Sequence, residues 1–286
     1  MQDTAGQKIA IPTSSVAVFR ILGQNPGPMT GPGTNSYLIE GQKRCLIDPG
    51  PGDAGQLQCF LQALGNQKLD YILVTHTHRD HSPAAAALQQ ATGAQRVGML
   101  PAADASGQDH SFSPDLDLVG GDCLDCGDYQ IELLHTPGHV SNHLCFLLRE
   151  EKLLFTGDHV LQGTTPVILP PDGDMKDYLD SLLHLQNLDL AMLAPGHGEV
   201  MRQPQQEIAA LIEHRQRREA KIVAALERLG QSAMDEILLA VYDDVAEHLL
   251  PWARKTLLAH LLKLEREGKA LRDHQAEQEF WRLHGN

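Results

Sequence analysis

Residues 70–82 read DYILVTHTHRDHS, and this stretch decides the fold. Its first half, DYILVT, is a continuous apolar run of strand length, the pattern of a strand buried on both faces. The following SPAAAALQQA places Ser82 where an N-cap belongs and Pro83 at the first helical position. HTHRDH at 76–81 therefore occupies a turn between a buried strand and a helix, where α/β sheets place their ligands. A turn leaving a strand can spread His76, His78, Asp80 and His81 in neighbouring directions. A single histidine is more often a core or surface residue, but four donors in six residues are a metal-binding pattern.

Three further donors repeat the logic of strand, glycine turn and ligand. His139 follows ELLHTPG, Asp158 follows KLLFTG, and His197 follows AMLAPG. A glycine before each lets the backbone bend sharply. Imidazole and carboxylate donors suit zinc, and also iron or manganese.

The rest of the chain reads as a mixed α/β body. Residues 24–36 form a Pro/Gly loop, and SYLIE and KRCLID around Gly41 and Gln42 form a hairpin. Residues 55–66 carry a helical apolar stripe, and 130–136, 143–149 and 152–158 are strands. A helix near 175–187 precedes a last short strand at 190–198. After Pro204 the texture changes. A long helix spans 205–229, and a second covers 233–242, capped by Ser232 with Glu236 nearby. A third runs from Pro251 to Gly268, and the strands KALRD and EFWRL close the chain. That is the outline of a winged helix. The expected division is a catalytic domain over 1–203 and a winged-helix-like domain over 204–286.

Composition bounds the function. The chain has 286 residues, 42% hydrophobic and 21% charged, enough for an ordinary core. Its net charge of −14 disfavours general coating of nucleic acid. Five cysteines, Cys45, Cys59, Cys123, Cys126 and Cys145, form no disulfide framework, and one CxxC pair makes no zinc ribbon. The N-terminus lacks the apolar core of a secretory signal, and no stretch approaches the ~20 apolar residues of a membrane span. A cytoplasmic location is expected.

THTHRDH, HTPGH, FTGD and APGHG resemble, in order, the metal motifs of the metallo-beta-lactamase superfamily, over roughly residues 15–200. The resemblance implies a four-layer αββα sandwich with two divalent cations, zinc first, at one edge. It assigns His76, His78 and His139 to one cation, Asp80, His81 and His197 to the other, and Asp158 to both. It also implies hydrolysis by a bridging hydroxide, with Asp80 as the proton-transferring residue. Within the superfamily, MTGPGTNSYLI at 29–39, DYLDSL at 177–182 and LLAHLLKLEREGK at 257–269 are similar to the endoribonuclease group with a C-terminal winged helix. That points to phosphodiester cleavage in single-stranded RNA and places Asn35 near the substrate. A glyoxalase II-like thioesterase or a lactonase uses the same centre, and a metabolite-sensing DNA-binding regulator is the reading outside catalysis.

The tail decides little by charge. Residues 204–286 carry 12 Lys and Arg against 14 Asp and Glu, net −2, and the body carries −12. Arg215, Arg217, Arg218 and Lys221 are the best candidates there for phosphate contact, against a solvated helix face. Trp252 and Trp281 read as core anchors rather than base-stacking platforms. The tail is equally a candidate lid or homodimer surface.

Overall fold

The computed structural model describes residues 5–275 and 278–285, within two compact units. The first comprises Met1–Thr136, Ser141–Pro166 and Leu188–Glu207, the second Pro137–Val140, Val167–Asn187 and Ile208–Asn286.

The first unit holds two sheets. β1 (Lys8–Ile11), β2 (Ala17–Leu22), β3 (Asn35–Glu40), β4 (Arg44–Ile47), β5 (Tyr71–Leu73) and β6 (Gln95–Val97) lie side by side in chain order. β1 to β4 pair antiparallel, while β4, β5 and β6 run parallel. Parallel neighbours need a crossover, and α1 (Ala54–Leu64) and α2 (Ala84–Thr92) supply the two required. The second sheet contains β7 (Cys123–Asp125), β8 (Gln130–His135), β9 (Leu144–Leu148), β10 (Leu153–Gly157) and β11 (Met192–Pro195), in the order β11-β10-β9-β8-β7.

Strand periodicity sorts the core into layers. Tyr37, Ile39, Cys45 and Ile47 join Ile131, Leu133, Phe146 and Phe155 in one apolar cluster shared by the two sheets. The alternate residues Leu38, Leu46, Ile72 and Val74 join Phe60, Leu64, Ala85 and Leu88 from α1 and α2. Strands β3, β4 and β5 thus bury both faces, as their unbroken apolar runs require. β1, β2, β6 and β7 leave no pattern in the sequence that announces them. The last two are three-residue edge strands, QRV and CLD, too short to show a period.

Three candidate donors of this unit stand just past the carboxyl end of a strand. His76 follows β5, Asp158 follows β10 and His197 follows β11. Gly157 adopts φ +46°, and a Cβ there would lie 2.6 Å from Thr75 Oγ1. Gly196 answers a different need. Its φ is ordinary, but a Cβ would lie 2.6 Å from Asp158 Oδ1 and 2.8 Å from His81 Cε1.

The second unit contains α3 (Met175–Gln186) and most of α4 (Pro204–Leu229). It continues with β12 (Ser232–Ala233), α5 (Met234–Val241), α6 (Leu250–Arg266), β13 (Ala270–Gln275) and β14 (Gln278–Leu283). The three strands form a sheet in the order β12-β14-β13, and residues 276–277, where the sequence suggests a polar turn, lie outside the described residues. Ile222, Leu226, Ile237, Leu238, Leu257, Leu261, Leu264 and Trp281 build its core. This is a winged helix with a long leading helix.

Several local expectations are corrected. Ser82 does not cap α2, because its hydroxyl donates to Asp109 Oδ2 at 2.8 Å and Pro83 takes the cap position. Ser232 does not cap α5 either. It belongs to β12, paired with Trp281, while Glu236 Oε2 accepts from Ala233 N at 2.9 Å. Trp252 is 40% exposed and anchors nothing, whereas Trp281 is fully buried. The CxxC spacing does not make a thiol pair. Cys123 is exposed, and Cys126 turns inward to lie 3.6 Å from Cys45 Sγ.

Trp281 is the largest fully buried side chain of the winged helix. Trp281→Ala should cost about 3–5 kcal/mol, read as a shift in the urea midpoint by circular dichroism. A loss below about 1 kcal/mol would mean the indole is not central to that core.

Candidate metal centre

The centre is organised by a residue that the sequence reading passes over. Asp48, 2% exposed, ends β4 at φ +50°. Its Oδ1 accepts from Thr75 N at 2.8 Å, and its Oδ2 accepts from Thr75 Oγ1 at 2.7 Å. The same Oδ2 lies 2.9 Å from His81 Nδ1. A carboxylate only accepts there, so His81 carries a proton on Nδ1 and turns Nε2 to the cluster. Thr75 has given its proton to Asp48, so its oxygen accepts from His76 Nδ1 at 3.0 Å. That fixes His76 in the same tautomer.

Carbonyl oxygens do the same elsewhere. His139 Nδ1 donates to Val167 O at 2.7 Å, and His197 Nδ1 faces Gly33 O at 3.4 Å. Four imidazoles therefore have one nitrogen held by an acceptor and Nε2 turned to the cluster. This is the arrangement that orients metal-binding histidines. A second network braces the turn itself. Asn142 Nδ2 donates to Thr77 Oγ1 at 2.8 Å, and Thr77 Oγ1 donates to Gln108 Oε1 at 2.7 Å.

The structure brings all seven predicted donors into two groups. His76, His78, His139 and Asp158 form one, and Asp80, His81 and His197 the other, the ligand atoms within each lying within 4.8 Å of one another. His76 Nε2 and His78 Nδ1 meet at 2.9 Å. Asp158 Oδ1 lies 3.4 Å from both His81 Nε2 and His197 Nε2, so its carboxylate faces the second group as well. Asp80 Oδ2 lies 3.4 Å and 3.2 Å from the same two nitrogens. His81 Nε2 is buried and makes no hydrogen bond. A buried imidazole nitrogen set between two carboxylates fits a divalent cation once its proton has left, and the nitrogen and oxygen donor set suits zinc, iron or manganese.

Without cations the second group holds protons instead. For His81 and His197 burial works against the charge, but Asp158, with Asp80 beside both rings and Asp48 beside His81, outweighs it. His81 is held well above its ordinary range, and His197 is raised to about 9. Burial alone would raise Asp80 and Asp158, yet the facing imidazoles hold both well below the usual carboxylate range. His76 goes the other way, because burial and the neighbouring His81 and His78 keep it neutral.

The other predicted residues lie as follows. Asn35 is 1% exposed, and its Nδ2 donates to Pro195 O at 3.0 Å and Gly198 O at 2.8 Å, bracing the loop that carries His197. The basic cluster of α4 is engaged internally. Arg215 is buried over the Tyr178 ring, Arg217 pairs with Glu213, and Arg218 bonds Val241 O and Asp244. Lys221 pairs with Asp243 and Asp244.

Comparison with known proteins agrees with this geometry. Residues 29–197 match the metallo-beta-lactamase superfamily, and residues 233–281 match the beta-lactamase associated winged helix domain. The chain belongs to the metallo-beta-lactamase superfamily. It is 33% identical to a beta-lactamase-like protein 2 homolog of Drosophila melanogaster, covering 95% of this chain and 96% of that one. It is 32% identical to an atrochrysone carboxyl ACP thioesterase of Aspergillus fumigatus, covering 89% and 84%. A beta-lactamase domain protein from Burkholderia ambifaria shares the fold with a TM-score of 0.80 over 99% of this chain and 95% of that one, at 18% identity. The chain is thus a superfamily hydrolase with the mixed α/β fold and a C-terminal winged helix. Among the described residues no helix is long and apolar enough to cross a membrane.

Two outcomes follow from the centre. Asp48→Asn should weaken cation binding about 10–100-fold in chelator competition, because His81 loses its charged acceptor. In chelator-stripped protein the raised His197 contributes stability that is fully present below its unfolded value of ~6.5 and lost as pH rises through about 9. The melting temperature of the stripped protein should therefore fall from pH 6.5 to pH 9. A flat profile would mean His197 is not held protonated.

Proposed function

We propose that this chain is a dinuclear metal-dependent hydrolase of acyl thioesters. His76, His78 and His139 would hold one cation and Asp80, His81 and His197 the other, with Asp158 offered to both. The observation that carries the two-cation reading is the position of Asp158, facing both donor groups, beside the buried His81 Nε2 that no hydrogen bond satisfies. Zinc is the cation we assign first, with iron and manganese suited to the same donors.

Bound divalent cations at these donors act as Lewis acids toward a carbonyl oxygen and bring the pKa of water toward about 7. The protein's own residues do the rest. Asp80 is the donor carboxylate nearer solvent, its side chain 27% exposed against 12% for Asp158. It is placed to take a proton from the attacking water and pass it to the leaving sulfur. Asp158, more deeply set, keeps the two groups in register. Asp48, Thr75 and Gly33 O hold the imidazoles so that no reorientation accompanies the reaction.

The substrate class rests on charge and on the thioesterase relative, which is 32% identical over 89% of this chain. Cleavage of single-stranded RNA, the expectation drawn from the sequence resemblance, uses the same centre. It calls for cations along the strand, and the α4 cluster that could supply them is paired with Asp243, Asp244 and Glu213. The same pairing and the net charge of −14 weigh against a DNA-binding regulator. We assign 1–203 as the catalytic domain and 204–286 as a winged-helix-like domain.

The test is a substrate panel on metal-loaded protein: an S-acyl glutathione, an acyl-pantetheine thioester, a lactone and single-stranded RNA. Thioester turnover is expected, and Asp80→Asn should lower kcat about 100-fold or more. RNA cleavage without thioester turnover would replace this reading with the endoribonuclease one.

A further inference from the structure

The loop before β3 grips Asp80 in a way that the donor groups alone do not account for. Thr34 is 1% exposed, and its Oγ1 lies 3.2 Å from Asp80 Oδ2. The direction of that bond is set by Asn25. Thr34 N can only donate, and it donates to Asn25 Oδ1 at 3.0 Å. The amide of Asn25 is thereby fixed with its oxygen toward the backbone and its NH2 toward Thr34 Oγ1, at 2.9 Å. The threonine oxygen accepts from Asn25, so its one proton goes to Asp80 Oδ2.

That oxygen is the one facing His81 Nε2 and His197 Nε2. The hydrogen bond from Thr34 and the contacts with His81 and His197 all fall on Oδ2 rather than Oδ1. The two oxygens of one carboxylate are therefore unequal before any substrate arrives. We infer that Thr34, oriented by Asn25, is a positioning residue that holds Asp80 Oδ2 toward the cation site and leaves Oδ1 as the proton-carrying oxygen. Without the Thr34 proton the carboxylate can rotate about its Cβ–Cγ bond and exchange the two oxygens. A rotating carboxylate is both a poorer cation ligand and a poorer relay, because each role then competes for either atom. The same strand entrance also holds His197, through Gly33 O at 3.4 Å and through Asn35 N donating to Gly196 O at 2.7 Å. Residues 33–35 thus steady two of the three donors of the second group from one side.

The inference rests on the reading of Asp80, His81 and His197 as cation donors, and the experiment separates the two. Cation content is measured by elemental analysis, and affinity by chelator competition, on wild type, Thr34→Val, Thr34→Ser and Asn25→Asp. Wild type should retain two cations per chain. Thr34→Val keeps the shape and removes the proton. It should release the weaker cation about tenfold or more readily and lower kcat with KM little changed. Thr34→Ser restores the hydroxyl and should restore both. Asn25→Asp keeps the acceptor for Thr34 N but offers the threonine proton a second carboxylate, so it should behave as Thr34→Val does. This variant also covers the case in which Thr34→Val fails to fold. If wild type holds two cations and Thr34→Val holds them equally well with unchanged kcat, Thr34 has no positioning role. If wild type never holds a second cation, the donor reading itself fails and takes this inference with it.

Discussion

The carboxylate of Asp48 is the constraint on which the centre depends. A buried charge is costly unless every oxygen finds a donor. Asp48 meets that condition by taking the backbone and hydroxyl of Thr75 and the ring of His81. Its own backbone N donates to Leu73 O at 2.8 Å, so the ends of β4 and β5 are joined at the point where the turn begins. The direction of the 76–81 turn, the tautomer of His81 and, through Thr75, the tautomer of His76 all follow from one side chain. Charge-assisted bonds of this kind are stronger than neutral ones. The carboxylate is therefore well suited to hold two imidazoles against the pull of a cation.

The donors themselves are legible in sequence because each obeys a rule that needs no third dimension. A buried strand ends, a glycine or a tight turn follows, and a polar donor stands where core would otherwise continue. His76, Asp158 and His197 satisfy that rule, and β5, β10 and β11 carry them as expected. Asp48 satisfies it too, as the polar residue closing KRCLI. It escapes notice because its role lies in hydrogen bonds whose partners are set by the parallel register of β4 on β5. Thr34 is less legible still. Its hydroxyl acquires meaning only when the 24–34 loop folds back on Asp80, and loop conformation has no periodicity to read. The capping errors have a common cause. Ser82 and Ser232 match the local preference for an N-cap, but Asp109 engages one and strand pairing with Trp281 the other. Local propensity gives way wherever a tertiary partner is stronger.

Charge in the second unit shows the same gap between composition and space. Four cations within seven residues of α4 look like a phosphate-binding stripe when written as a string. In the fold, 243–244 bring two aspartates beside Arg218 and Lys221, and Arg215 is withdrawn over Tyr178. Exposed pairs of this kind add little stability, about 0–1 kcal/mol each. Their larger effect is on the field, since a paired cation no longer draws a phosphate chain at a distance.

The metal centre and the stability of the first unit are coupled by the same groups. In the stripped protein two buried imidazoles keep protons because Asp80 and Asp158 surround them. A cation bound at these donors would take the place of those protons and carry more charge into the same carboxylate field. Anything that binds only the folded chain adds to its stability by mass action, about 2.7 kcal/mol at a hundredfold excess over its dissociation constant. His76, Asp158 and His197 lie past the ends of β5, β10 and β11. Binding there would fasten strand ends of both sheets at once, so the ordering that readies the site for chemistry would be part of the ordering that makes the fold.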